Sequence, residues 1–170
     1  MLFLPWTNLY FFFPYKSKMN ITLICTGKTS EKHIAEGMKL YADRISHYCK
    51  FCLTEIEAGR GDETQIRKRE SENILKKVGD KDILILLDEK GKEQSSKEFS
   101  ELLSHHQNIS TKNLVFLIGG AYGFSEEVYE RSNTKTSLSK MTFPHQLVRV
   151  IFLEQLYRAF TIQKGEKYHH

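Results

Sequence analysis

The chain has 170 residues, 40% of them apolar and 27% charged, and 25 lysines and arginines against 21 acids give it a formal net charge of +4. That balance is ordinary for a folded globular protein and excludes a fibrous or intrinsically disordered one; the length points to one domain with one substantial core. Three cysteines, Cys25, Cys49 and Cys52, are an odd number that does not read as a disulfide framework, so a reducing, cytoplasmic setting is expected.

Residues 1–18 differ in character from the rest. Leu2-Phe3-Leu4 and Tyr10-Phe11-Phe12-Phe13 are broken by Pro5 and Pro14, and no charge precedes Lys16. The stretch is too short for a membrane span, and it lacks the basic start and small-residue cleavage site of a secretory signal. It reads as a non-core extension of the kind an upstream start codon chosen in error would add, a genuine tail or anchor being the other reading, with residues 19–170 forming a single domain.

In chain order, Ile21–Thr26 is a β-branched run ended by Gly27, which predicts a buried strand. Ile34, Met38, Tyr41, Ile45 and Tyr48 share one face at helical spacing, predicting a helix over 30–48. A second strand is expected at Phe51–Ile56, then a charged helix from Asp62 to Val78 stopped by Gly79. Ile83–Leu87 is apolar without alternation, as in a parallel strand covered on both faces. Asp88–Gln94 reads as a polar loop, and Ser95 with Glu98 forms a capping box that opens a helix to about His106. Leu114–Ile118 is another unbroken apolar strand, running into Gly119-Gly120-Ala121-Tyr122-Gly123. Ser125 with Glu126 and Glu127 starts a short helix. A short strand or extended segment is expected over Ser137–Phe143, then one long helix over His145–Ile162 and a tail over 163–170. Strand and helix alternate, which predicts an α/β domain with a mostly parallel sheet.

Three loops follow three apolar or extended segments: 88–92, 119–123 and 138–145. In parallel α/β sheets ligands bind beyond the carboxyl ends of the strands, so converging loops there would make a cofactor pocket. The glycine loop lacks a dinucleotide fingerprint, and a tight turn without a ligand accounts for it as well. The last helix is apolar around most of its circumference, which fits burial by its own sheet and by a second copy of the chain; a helix central within one chain is the other reading. From 131 onward Arg131, Lys135, Lys140, Arg149, Arg158, Lys164 and Lys167 face only Glu154 and Glu166, a basic quarter that suits a polyanionic partner or a solvated face. Cys49-x-x-Cys52 has no second ligand pair, so metal binding is not expected. His105-His106 reads as a solvated helix end, and His145 as a helix-starting residue or a ligand contact.

The order Phe116-Leu117-Ile118-Gly119-Gly120-x-x-Gly123, then Leu138-Ser139-x-Met141-Thr142-Phe143-Pro144-His145-x-Leu147-x-Arg149-Val150, then Glu154-Gln155-Leu156-Tyr157-Arg158-Ala159-Phe160 and Tyr168-His169 carries a resemblance. It is similar to the bacterial SPOUT-class methyltransferases that modify N3 of a pseudouridine in large-subunit ribosomal RNA. The resemblance extends to the Met19 start, Ala58-Gly59 and Leu87-Asp88…Gly91-Lys92, and spans 19–170.

It implies a mostly parallel sheet flanked by helices with a C-terminal trefoil knot, an exception to the rule against knots. It also implies a homodimer packed through the last helix, and S-adenosylmethionine held in the knot by Leu87, Gly119, Leu138, Ser139, Lys140, Met141, Thr142 and Phe143. By the same resemblance Tyr168 and His169 reach from the partner subunit to the target base, with Arg149 or Arg158 supporting the site. The RNA partner is the large-subunit rRNA of the assembled ribosome; no metal and no membrane are implied. The chain departs from the family where it stops at His170, since the family tail continues with a basic residue. A non-catalytic ribosome-assembly factor and a small-nucleotide-binding protein are the alternatives that the residues alone leave open.

Overall fold

The computed structural model describes residues 17–168; most of the N-terminal extension, with His169 and His170, lies outside the described residues. Five strands and five helices alternate: β1 (Ser17–Thr26), α1 (Lys32–Ile45), β2 (Cys49–Ile56), α2 (Glu63–Leu75), β3 (Ile83–Glu93), α3 (Ser96–Asn108), β4 (Asn113–Ile118), α4 (Glu126–Arg131), β5 (Thr134–Ser137) and α5 (Leu147–Lys164). The sheet order is β2-β1-β4-β3-β5, and every ladder in it is parallel.

Side-chain alternation sorts the core into two layers. Leu114, Phe116 and Ile118 of β4 join Ile21, Leu23 and Ile85 in a cluster with Ile34 and Met38 of α1, Phe99 of α3 and Phe152, Leu153 and Leu156 of α5. Val115 and Leu117, the intervening residues, turn to the other face with Leu84 and Leu86, where Ile74 of α2 and Val128 of α4 cover them. Strands covered on both faces need no polar alternation, which is why β3 and β4 read as continuous apolar runs. Phe116 sits at the centre, fully buried, its ring 4.8 Å from Phe152 and 5.8 Å from Phe99. Burial of one such side chain stabilises by about 1.5–3 kcal/mol.

The helix starts follow local chemistry. Asp62 accepts from the Gln65 amide at the head of α2, and the expected Ser95/Glu98 capping box is formed at the head of α3. Gly165 ends α5 in the left-handed region at φ 65°, where a side chain would be strained.

Two expectations are corrected. The strand expected over Ser137–Phe143 lies earlier, at Thr134–Ser137, and residues 138–144 are irregular. Beyond Ser137, local bonds replace the ladder: the Ser137 hydroxyl donates to the Ser139 carbonyl, and the Ser139 hydroxyl accepts from the Met141 amide. The expected polar loop 88–94 is mostly strand, because β3 continues to Glu93. Its register against β5 jumps from Leu87↔Thr136 to Lys92↔Thr136, so residues 88–91 loop out between two paired halves.

Gly91 makes that double pairing possible. A Cβ there would stand 2.6 Å from the Thr136 carbonyl carbon, a backbone atom that cannot swing aside. Gly91→Val is expected to destabilise the fold by about 1–3 kcal/mol, read as a lowered midpoint in urea unfolding; an unchanged midpoint would show that the second half of β3 is not held against β5.

Candidate functional site

Parallel strands bring all their carboxyl ends to one edge of the sheet, and a cavity of about 810 Å³ opens there past β3, β4 and β5. Its walls are Leu87 and the looped-out residues 88–90, the glycine loop 118–124, and Ser137 with residues of the irregular segment that follows it, completed by His145 and Val148 at the head of α5. The three loops singled out in the sequence therefore meet. Leu87, Gly119, Leu138, Ser139, Met141, Thr142 and Phe143 all line the cavity. Lys140 is not part of the lining: its side chain turns outward, and its ammonium lies 3.6 Å from Glu93.

The glycine loop presents bare backbone because it is packed from behind. A Cβ on Gly119 would meet the Phe124 ring at 2.8 Å, and one on Gly120 would meet the Glu70 carboxylate at 2.5 Å. Glu70 is itself buried, receives the Gly59 amide at 3.3 Å, and is held above the usual carboxylate range by burial. Gly123 takes φ +71°, which closes the turn back onto Gly120.

Sequence reasoning missed the wall supplied by the helices. Arg67 of α2 and Glu126 and Tyr129 of α4 line the cavity through tertiary packing, and no local motif marks them. Asp88 is the hinge of this wall. One carboxylate oxygen accepts the Lys90 amide at 2.8 Å and shapes the looped-out turn; the other accepts the Tyr129 hydroxyl at 2.5 Å. Burial, with the hydrogen bond to Asp88, pushes the Tyr129 phenol up to about 12, so it remains a donor.

Of the residues expected to act on the substrate, Arg149 and Tyr168 do not line this cavity, and His169 lies outside the described residues. Arg149 is fully buried, and its guanidinium donates to the Thr26 carbonyl at 2.8 Å and the Thr29 hydroxyl at 2.6 Å, with Glu55 at 3.4 Å. It reaches the cavity only through His145, 2.9 Å away. A signal for this existed in the sequence, since His145 and Arg149 are spaced i,i+4 on one helical face. Tyr168 folds back on its own α5, its hydroxyl donating to Glu154 at 3.1 Å and its ring against the Arg158 guanidinium at 4.9 Å. It does not line the cavity of its own chain. Arg158 in turn is paired with Glu154 at 2.5 Å.

The basic C-terminal quarter is largely engaged within the fold. Besides Arg149, Arg158 and Lys140, Arg131 donates to the carbonyls of Gly79 and Asp82, and Lys135 lies over the Tyr129 ring. Cys49 and Cys52 both sit on β2, where an odd offset turns them to opposite faces, one buried and one exposed. Cys25 is buried, which pushes its thiol up to about 12 and keeps it unreactive. His106, half-buried at the end of α3, faces the Thr111 hydroxyl at 3.1 Å. Among the described residues there is no cluster of three or more His, Cys, Asp or Glu able to hold a metal, and no helix long and apolar enough to cross a membrane.

Residues 19–169 match the family model described as "Predicted SPOUT methyltransferase". The chain is 51% identical over 156 residues to the "Ribosomal RNA large subunit methyltransferase H" of Christiangramia forsetii, covering 89% of this chain and 99% of that one. It is 50% identical over 156 residues to the protein of the same name from Flavobacterium psychrophilum, with the same coverage of both chains. For the one from Cytophaga hutchinsonii the identity is 48% over 155 residues, covering 89% of this chain and all of that one. With matches across almost the whole length of these relatives, the chain belongs to the SPOUT methyltransferase family of the large-subunit rRNA methyltransferase H type.

Proposed function

We propose that this protein transfers a methyl group from S-adenosylmethionine to N3 of a pseudouridine in large-subunit ribosomal RNA, on the assembled ribosome. The observation that carries the reading is the cavity itself. Three loops converge on it, one of bare glycine backbone, at the place where a parallel sheet binds ligands. The names of the relatives, which are rRNA methyltransferases, supply the reaction class.

The cavity fits the cofactor. Gly119 and Gly120 have no room for a side chain, so bare backbone forms this wall, where an adenine edge can approach closely. Leu87, Ile118, Leu138, Phe143 and Val148 offer an apolar slot for the ring, and Ser139, Thr142 and Asp88 offer hydroxyl and carboxylate partners for the sugar and amino acid ends. When bound, S-adenosylmethionine supplies a methyl group already activated on a sulfonium. The protein's part is then to orient the ring nitrogen of the base, exclude water and accommodate the loss of the N3 proton.

Tyr168 and His169 serve the base from the partner subunit in this reading, since Tyr168 lies away from its own cavity. Burial and the neighbouring Tyr41 and Glu154 raise the Tyr168 phenol well above its ordinary value, which suits a hydrogen-bond donor rather than a base. The composite site requires a homodimer. Leu40 on α1 and Leu147 at the head of α5 are 49% and 39% exposed, two apolar side chains that a second copy would cover. The family's trefoil knot belongs to the same reading.

Labelled S-adenosylmethionine, the full chain and ribosomes lacking the modification test the activity. Label is expected in one pseudouridine of the large-subunit rRNA, and Gly119→Arg, which fills the cavity, is expected to reduce it below detection. Absence of transfer by a chain that still binds ribosomes would overturn the enzymatic reading. Sedimentation is expected to show a dimer, shifted toward monomer by the pair Leu40→Glu and Leu147→Glu; a monomeric wild type would remove the composite site.

A further inference from the structure

The head of α5 is fastened to the loop that follows β1, about 120 residues earlier in the chain. Gln146 accepts the Ser30 amide at 3.0 Å and donates to the Lys28 carbonyl at 3.2 Å and the Ser30 hydroxyl at 3.0 Å. Arg149 binds Thr26 and Thr29 of the same segment, and Glu55 accepts from both the Thr29 amide and its hydroxyl. Gly27, at φ +81°, lets the loop turn directly over the guanidinium and the His145 ring. The clamp closes on one side chain of the cavity wall, His145.

The clamp offers Nε2 two partners that require opposite protonation: the Thr26 carbonyl accepts from an Nε2–H, whereas the Arg149 guanidinium donates to a bare Nε2. His145 Nε2 lies 2.9 Å from Arg149 Nη2 and 3.0 Å from the Thr26 carbonyl oxygen. A guanidinium N–H can only donate, so the contact with Nε2 is a hydrogen bond when Nε2 carries no proton. The guanidinium nitrogen has two hydrogens, one for the Thr26 carbonyl and one for Nε2. The Thr26 carbonyl already receives the guanidinium, and an Nε2–H would face a fixed cation, so the Arg149 contact decides and the imidazole proton belongs on Nδ1, the ring nitrogen not engaged by the clamp. Burial opposes a second proton on the ring, as does the Arg149 charge, while the Thr26 carbonyl pulls weakly the other way. Beyond Arg149 stands Glu55 of β2; on the other cavity walls are Asp88, Glu89 and Lys90 after β3, Arg67 of α2 and Glu126 of α4.

We propose that Arg149 is a positioning residue, which locks His145 as a neutral imidazole protonated on Nδ1 so that this N–H donates to a carbonyl oxygen of the methyl-accepting base. The inference rests on the methyl-transfer reading above. In the reaction the nitrogen–carbon bond forms as the sulfur–carbon bond breaks, the N3 proton passes to water, and the imidazole keeps its own proton throughout. His145 is therefore a donor to the negative charge that develops on the base, and is not the general base. A neutral donor suits a ring anion that must still react as a nucleophile, because it stabilises the charge without protonating it.

Nitrogen-15 histidine spectra of the full chain test the assignment without any RNA. His145 is expected to show the Nδ1–H tautomer and to remain neutral at pH 6, below the ordinary histidine pKa of about 6.5. A ring protonated on Nε2, or one titrating at the ordinary value, would overturn the proposal. Arg149→Met is expected to mix the tautomers, raise the titration and slow methyl transfer roughly 100-fold at pH 7, with S-adenosylmethionine affinity changed less than about twofold; Arg149→Lys should recover part of the rate. His145→Phe should lose a similar factor, and the double variant no more than His145→Phe alone, because the two residues act as one unit. Independent, additive losses would mean that Arg149 acts on stability alone. A wild type that transfers no methyl would sink the functional reading itself, an outcome distinct from an active wild type whose Arg149→Met variant is equally active.

Discussion

Everything in this molecule follows from strands that are apolar on both faces. Residues 114–118 of β4 are at most 3% exposed, and Leu84, Ile85 and Leu86 of β3 are fully buried. Such strands cannot face water on either side, so helices must cover both, and each connection must cross the sheet and return to the same starting edge. The strands then run parallel, and their carboxyl ends, with the loops that leave them, collect at one edge. Backbone groups there have left the ladder and are free to meet a ligand. The cavity is the place where the constraint that builds the core runs out.

That constraint was legible in the sequence, and so was much of what depends on it. The unbroken runs at 83–87 and 114–118 identified buried parallel strands, and Ser95 with Glu98 marked a helix start that the structure contains. The short strand β5 was misplaced because Thr134–Ser137 carries no apolar signal; it is a strand only because β3 offers it an edge. The continuation of β3 through Lys92 and Glu93 was hidden for the same reason. Pairing between distant segments decides such polar stretches, and no local pattern records it.

The site divides along the same line. Its loops are contiguous in sequence and could be picked out in advance, and the resemblance named Leu87, Gly119 and residues 138–143 within or beside them, although the outward turn of Lys140 could not be foreseen. Arg67, Glu126 and Tyr129 enter the wall from helices whose placement is set by the core, and Asp88 gains its partner only when α4 docks. Arg149 was named through the resemblance as a residue supporting the site, but its burial and its bonds to Thr26 and Thr29 come from the packing of α5 against the end of β1.

The burial of Arg149 is the most informative of these. Removing a guanidinium from water costs several kcal/mol, and replacing a buried ionic group by a well-packed apolar one is often neutral or stabilising. Here the charge is offset by a carbonyl, a hydroxyl, an imidazole and the partly exposed Glu55, while its Nε hydrogen finds no acceptor among the described residues. An apolar side chain could fill the same volume without that unpaired group. What it could not do is hold the loop after β1, the carboxylate of β2 and the ring of His145 at once, because only a planar fork of donors reaches three acceptors in fixed directions. Stability alone therefore does not account for an arginine at this position. The geometry it imposes falls on a side chain in the wall of the cavity: a fully buried cation holds the His145 ring both by the direction of its donors and by its charge.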